Sequence, residues 1–456
     1  MGRTLDFKHD SIFPLLLKTS IPLLLASTVT MIVQLASIAF MGNISATDIY
    51  IRALYTPFAF LTIALTEGFQ ISNQLLIARL KGSGKQEELK RTIVNMAAFS
   101  IGISFIVAVL IYLTAPVIAA YYQVPADISG AFVSFLSAMF FVNILVIVTM
   151  VVTSSLRGAG YVNLSVLLNI LYAGSNISLV YLFAFHAELG IFSIVYANLI
   201  SSIVFTAIAI VKLHRYKLIE WKRQYAVFYQ PALIFLRNIG LPISLSYIII
   251  FISNFLFNRI VTPFGMEAVS GFGVAYSIQT FVIIPAIAIG SSLGIIMNSN
   301  IGAGIAYYSR VLDAYKVAVL FTMAVYAVIG VSLLFSYEAV VGVMLEDTVS
   351  IGFASDFIRI LAPSYFIMGL VLMALTTLEQ INKGVIALVL NAAYFAVIAA
   401  VGWYLTQQFN DLTYFYWTFF TVNMFGGLCA IYTWRVVKKE YGDPAILQDD
   451  YAEASG

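Results

Sequence analysis

Glu67 is the side chain best placed to do chemistry in this sequence, being the one carboxylate in the apolar run from Ala53 to Ala78. Gln70 and Gln74 follow at spacings of three and four, so on a helix the three share one face, with Asn73 beside it. Burial penalises the charged form of a carboxyl group, so one held deep in an apolar layer can exchange protons. The competing reading is a hydrogen-bonded cluster that joins helices.

Two further stripes are polar but uncharged. Ser27, Thr30, Gln34 and Ser37 are spaced three, four and three apart, and Ser244, Tyr247, Asn254 and Asn258 lie on a comparable face farther along. With Asn73 they are expected to line a cavity that holds an amphiphilic ligand by hydrogen bonds and apolar contact, the alternative again being glue between helices. Asp356 and Arg359, three apart, are expected to form a salt bridge within one helix, with a gating role as the alternative. The equipment for catalysis is thin. Three histidines, His9, His186 and His214, and the single Cys429 make no metal-ligand pattern, and no Gly-rich phosphate loop or HExxH is present. An enzyme, a metal site, a cofactor, a nucleic-acid partner and ATP as fuel are therefore not expected.

The elements that position these residues follow from composition. Of 456 residues, 61% are hydrophobic and 10% charged, more apolar surface than a water-soluble core can hide. About twenty apolar residues cross a bilayer, and only helices satisfy their own backbone there. Twelve stretches qualify, near 14–41, 49–78, 92–115, 128–155, 162–185, 189–211, 239–262, 268–300, 312–335, 351–378, 384–405 and 413–436. The amino terminus carries no cleavable signal pattern. With that terminus inside, every Lys and Arg except Arg52, Arg259 and Arg359 falls on the cytoplasmic side, which puts both termini in the cytoplasm and the chain in the cytoplasmic (inner) membrane.

The two halves repeat. Pro22 and Gln34 in the first span correspond to Pro242 and Asn254 in the seventh; ISNQLLIARLKGSG (71–84) corresponds to IMNSNIGAGIA (296–306), and TSSLRGAGYVNLSVLLN (153–169) to TTLEQINKGVIALVLN (376–391). Arg157 and Glu379 then occupy equivalent positions at the cytoplasmic ends of spans four and ten. Because each half has an even number of spans, the repeat is parallel, about an axis along the membrane normal. The fold class is thus all-α and polytopic, twelve transmembrane helices in two pseudo-symmetric six-helix lobes. The division is 1–211 for the first lobe, 212–237 for a basic cytoplasmic linker, 238–439 for the second lobe and 440–456 for a tail. The linker is expected to act as a tether between lobes and to touch anionic lipid headgroups. Pro22, Pro57, Pro242, Pro285 and Pro363 are bending points, with Pro22 and Pro242 the pair leading the lobes.

Gly-Leu-Pro at 240–242, Phe264-Gly265, Asn300-Ile-Gly-Ala303 and LRGAG at 156–160, in this order, resemble the multidrug and toxic compound extrusion (MATE) family, its DinF-like branch in particular, of the MOP flippase and exporter superfamily. The likeness runs from about Phe13 to Lys439. It implies two six-helix lobes, alternating access and efflux driven by protons or sodium. It also implies coupling acids where this chain has Ser37 and Val180 or, in another branch, Ile250 and Leu372. Asn176 is the fifth-span position that matches the family's polar cluster, with Asn169 and Tyr172 beside it. Ion coupling is accordingly assigned to Glu67, Gln70, Gln34 and Asn176, and the cavity to Gln34, Ser37, Asn73, Asn169, Tyr172, Tyr247, Asn254 and Asn258. The function expected is a monomeric secondary active exporter of small organic compounds using H+ or Na+ among membrane lipids. The alternative is a flippase of a lipid-linked or amphiphilic substrate, which is disfavoured by the lack of a cationic cluster.

Overall fold

The computed structural model describes residues 5–42, 46–220, 222–342, 344–345 and 347–442, and these form fourteen α-helices and no strand. The first six are α1 (Ile12–Gly42), α2 (Ala46–Gly82), α3 (Gln86–Tyr121), α4 (Ala126–Gly158), α5 (Val162–Phe185) and α6 (Phe192–Arg215). A short α7 (Gln230–Phe235) and a π-helical turn (Leu236–Gly240) lead into α8 (Leu241–Val261) and α9 (Met266–Ala303). After α10 (Tyr308–Gly342), the tenth span is broken into α11 (Thr348–Leu361) and α12 (Tyr365–Leu378), and α13 (Gly384–Phe409) and α14 (Thr413–Tyr441) complete the set. The break falls at Pro363, which has no N–H to give the helix and sits in a 3-10 turn, Ala362–Ser364.

Twelve spans therefore stand where the hydropathy places them. Nine helical segments among the described residues are long and apolar enough to cross a membrane, and one, Thr348–Phe409, is 62 residues long and holds two spans. The spans that fall short are α2 and α14: α2 because of its polar face, α14 because Tyr, Trp and Asn dilute its apolar residues. Helix α3 starts before its apolar stretch. Glu87 and Glu88 in its first turn favour the helix dipole, so the helix begins while still outside the apolar layer.

The chain forms two compact units. One takes Leu25–Ser244 and the described residues up to Asp6; the other takes Phe7–Leu24 and the chain from Leu245 onward. Neighbour relations repeat within each. In the first, α4 packs on α2, α3, α5 and α6; in the second, α12 packs on α9, α10, α13 and α14. The apolar cores are also local, Phe132, Phe135 and Phe140 in the first unit and Phe257, Phe272, Phe357 and Phe415 in the second. The unit boundaries differ from those read in the sequence at two places. Helix α1 gives its first turns to the second unit, where Asn300 donates to the Phe7 carbonyl (3.0 Å) and Phe13 meets Phe321 edge-on. The start of α8 belongs to the first unit, where a Cβ on Gly68 would collide with Ser244 Oγ and lie 2.6 Å from the Gly240 carbonyl. Pro22 and Pro242 are each two residues from these crossings.

The linker is not a slack tether. Its Glu220 pairs with Lys90 of α3, Arg91 donates to the carbonyls of Val227 and Phe228 (3.2 and 2.9 Å), and Asn95 both donates to the Tyr225 carbonyl (3.0 Å) and accepts from Tyr229 N (2.9 Å). These bonds fasten it to the first unit.

Candidate functional site

In the first unit the polar face of α2 meets the last turns of α4. Asn73 is fully buried, and its Nδ2 donates to the Val151 carbonyl (2.8 Å), Ser154 Oγ (2.8 Å) and Ser155 Oγ (2.9 Å). Asn73 thus joins α2 to α4, and its donors are used there. One turn on, Gly158 lies so close to α2 that an added Cβ would collide with the Gln74 carbonyl. Two chains this near exclude water, so polar groups around the crossing must find partners in the protein.

Glu67 stands on the same helix and is only half-buried. Gln70 Nε2 donates to its Oε2 at a long 3.4 Å, and Arg157 is within electrostatic reach without forming an ion pair with it. The Arg157 guanidinium is 5% exposed, and its Nε and Nη2 donate to nothing among the described residues. A carboxylate and a cation thus share one low-dielectric interior without neutralising each other by contact, an arrangement that leaves the carboxylate responsive to protons.

Asn176 and Tyr172 are brought together by a helix that sequence reasoning passed over. Asn176 Nδ2 and Tyr172 Oη both reach Asn198 Oδ1 on α6 (3.1 and 3.3 Å), Tyr172 also meets Ser202 Oγ (3.4 Å), and Thr149 of α4 meets Thr206 Oγ1 (2.7 Å). Asn198, Ser202 and Thr206 are each four apart, a polar stripe as regular as those singled out. Tyr172 is buried in this network, while Asn169 is half-buried with its Oδ1 unpartnered.

Ser37 is half-buried on α1, and the side chain of Gln34 lies outside the described residues. In the second unit Tyr247, Asn254 and Asn258 are half-buried on α8, with Asn258 Nδ2 turned back to the Asn254 carbonyl (2.9 Å). Asp356 and Arg359 form the expected pair at 3.0 Å, with side chains 41% and 61% exposed. The pair is local to one helix, so each charge carries its own counter-charge. The arrangement offers proton exchange at one carboxylate and neutral hydrogen bonding elsewhere, and among the described residues no cluster of His, Cys, Asp and Glu suits a metal.

The sequence profile of the MatE family matches residues 22–182 and 242–405. A probable multidrug resistance protein, YoeA of Bacillus subtilis (strain 168), is 22% identical over 359 residues, 76% of this chain and 77% of that protein. Among solved structures, the Vibrio cholerae MATE transporter VcmN in its bent form superposes with a TM-score of 0.88 at 18% identity, covering 94% of this chain and 98% of that one. A MOP superfamily transporter from Pyrococcus furiosus gives 0.86 at 17% identity, with 97% and 100% covered.

Proposed function

Because the chain belongs to the MatE family of membrane transporters, we propose that it is a secondary active exporter of small organic compounds, driven by a proton gradient through Glu67. The observation that carries this reading is the position of Glu67: a half-buried carboxylate on the interior face of α2, facing the charge of Arg157 without being tied to it. Such a group gains from protonation when closed off and from ionisation when open to water, which links its proton to a change of access. Gln70 would steady the carboxylate, and Asn176 with Asn198 would serve as the neutral, ion- or ligand-binding part of the same unit. The side chains assigned to substrate are uncharged, which suits neutral, zwitterionic or metal-chelating compounds. The protein is placed in the cytoplasmic membrane with both termini inside, on the distribution of its Lys and Arg.

A flippase of an amphiphilic or lipid-linked substrate is the second reading. Arg157 favours it, since a buried guanidinium with unused donors suits an anionic head group, but a single cation falls short of a cationic cavity.

The test is uptake of a fluorescent organic cation and of a neutral dye into proteoliposomes under separate proton and sodium gradients, for wild type and Glu67→Gln. Proton-driven uptake lost in the variant supports the proposal. Undiminished uptake in Glu67→Gln overturns the assignment to Glu67, and movement of a fluorescent lipid in place of both dyes favours the flippase.

A further inference from the structure

A second buried carboxylate lies in the other unit. Glu379 follows the last turn of α12, is 8% exposed, and opens the kink Glu379–Lys383 between α12 and α13, in which Ile381 leaves helical geometry and Asn382 takes the left-handed conformation (φ 69°). Ser246 of α8 donates to its Oε1 at 2.8 Å. Asn298 of α9 donates to the carbonyl of the next residue, Gln380, at 3.1 Å.

Among the described residues, the positive charges nearest in the fold are engaged elsewhere. Lys383, four residues on, pairs with Glu440 of α14 at 2.6 Å. Arg310 of α10 donates to the Phe7 and Asp10 carbonyls, and Lys316 pairs with Asp313. Arg435, Lys438 and Lys439 of α14 and Lys18 of α1 are exposed, and the hydrogen bonds that α8 and α9 make to Glu379 and Gln380 come from the neutral Ser246 and Asn298. Among the described residues, no Lys, Arg or His forms an ion pair with Glu379. An ionised carboxylate with one hydrogen bond in such a place is costly, so the closed packing holds the neutral acid. The repeat sharpens the point, since the equivalent place in the first unit holds Arg157.

We propose that Glu379 is a second proton-binding residue of the transport cycle, neutral while α8 and α12 are packed together and ionised when that packing opens to water. Ser246 lies two residues beyond the point at which α8 passes from one unit to the other, so the acid holds the first turn of α8 that belongs to its own unit. Loss of the proton would leave Oε1 and Oε2 needing donors that only water can provide, and the α8 to α12 contact would part to admit it. This rests on the proton-driven reading above but not on Glu67, which sits in the other unit.

The experiment is acid-minus-base infrared difference spectroscopy of the full-length protein in nanodiscs, reading the C=O stretch of protonated carboxyl groups, with pH-driven dye uptake measured on the same preparations. Glu379→Gln should remove one carboxyl band that Glu67→Gln retains, and should lower pH-driven uptake roughly tenfold. Ser246→Ala, which leaves the acid in place, should shift that band to higher frequency by removing its hydrogen bond. A Glu379→Gln spectrum that overlays the wild type, or a band unmoved in Ser246→Ala, overturns the proposal. Should Glu379→Gln fail to fold, Ser246→Ala and Glu379→Asp decide it, the latter being required to keep a displaced carboxyl band. Failure of the Glu67 assignment shows instead as uptake undiminished in Glu67→Gln, whatever the Glu379 band does.

Discussion

The crossing of α2 with α4 and the crossing of α9 with α12 are equivalent in the repeat, yet they are built differently. Each uses an asparagine to reach the partner helix, Asn73 with three donor contacts on α4 and Asn298 with the Gln380 carbonyl. Each brings a glycine close to its neighbour. At Gly158 the neighbour is the rigid Gln74 carbonyl, whereas at Gly290 it is the Thr376 hydroxyl, which can rotate away. The first interior holds a carboxylate and a cation, and the second a carboxylate without a cation partner among the described residues. Repetition preserves the ties that close a helix pair, while the charges it encloses are free to diverge; coupling chemistry is therefore to be sought where the two copies differ.

The largest effect should come from testing the glycines. Gly158→Ala forces a methyl group into backbone and should cost about 3 kcal/mol, against about 1 kcal/mol for Gly290→Ala, measured as resistance to denaturation by SDS. Equal losses would mean that the two crossings are alike after all. Next, Asn73→Ala removes three interhelical contacts at roughly 0.6 kcal/mol each, about 2 kcal/mol in total, and Asn298→Ala removes one, about a third of that. The same unfolding assay reads both.

The smallest effect concerns the linker, for which the second unit has no counterpart. Lys222 (2.7 Å) and Lys90 hold the Glu220 carboxyl well below its ordinary range, pushed down to about 2 from 4.5. A carboxylate depressed on folding contributes stability that is complete above its unfolded pKa and lost as the pH falls through the folded one. The attachment should therefore hold at neutral pH and loosen between pH 4.5 and about 2. The protection factors of the amides over 222–229, taken against the intrinsic exchange rate at each pH, should fall across that window as the pH is lowered, and Glu220→Gln should show the lowered protection already at neutral pH. Protection that stays flat in the wild type would show that the Arg91 and Asn95 bonds suffice.

Most of the fold was legible because a bilayer leaves the backbone few choices. Twenty apolar residues in a row must form a helix, and twelve such runs give twelve spans whose neighbours then follow from the repeat. Helix ends were less legible, since α3 runs outward on charged residues that carry no hydropathy signal. The site was legible as residue types at helical spacing, and Glu67 with Gln70 falls on one face as read. Which way a polar face points was not. Asn73 has the spacing of a cavity residue, while its bonds to Ser154 and Ser155 depend on a helix about 80 residues away, and Asn198 was overlooked because its stripe with Ser202 and Thr206 carries no charge. The kink that follows Glu379 left only Asn382 as a sign, a residue that tolerates left-handed backbone.

The exchange of first turns has a consequence for how the molecule is made. Phe7 leaves the ribosome early, and the donor that holds its carbonyl, Asn300, lies 293 residues later. At about 5–20 residues per second that is a wait of roughly 15–60 s, during which the start of α1 is in the membrane without the neighbours it will finally have. The carboxyl-terminal half therefore cannot be finished from its own residues. Trimming the amino end before Leu25 would take from the unit synthesised last a segment that no later residue replaces.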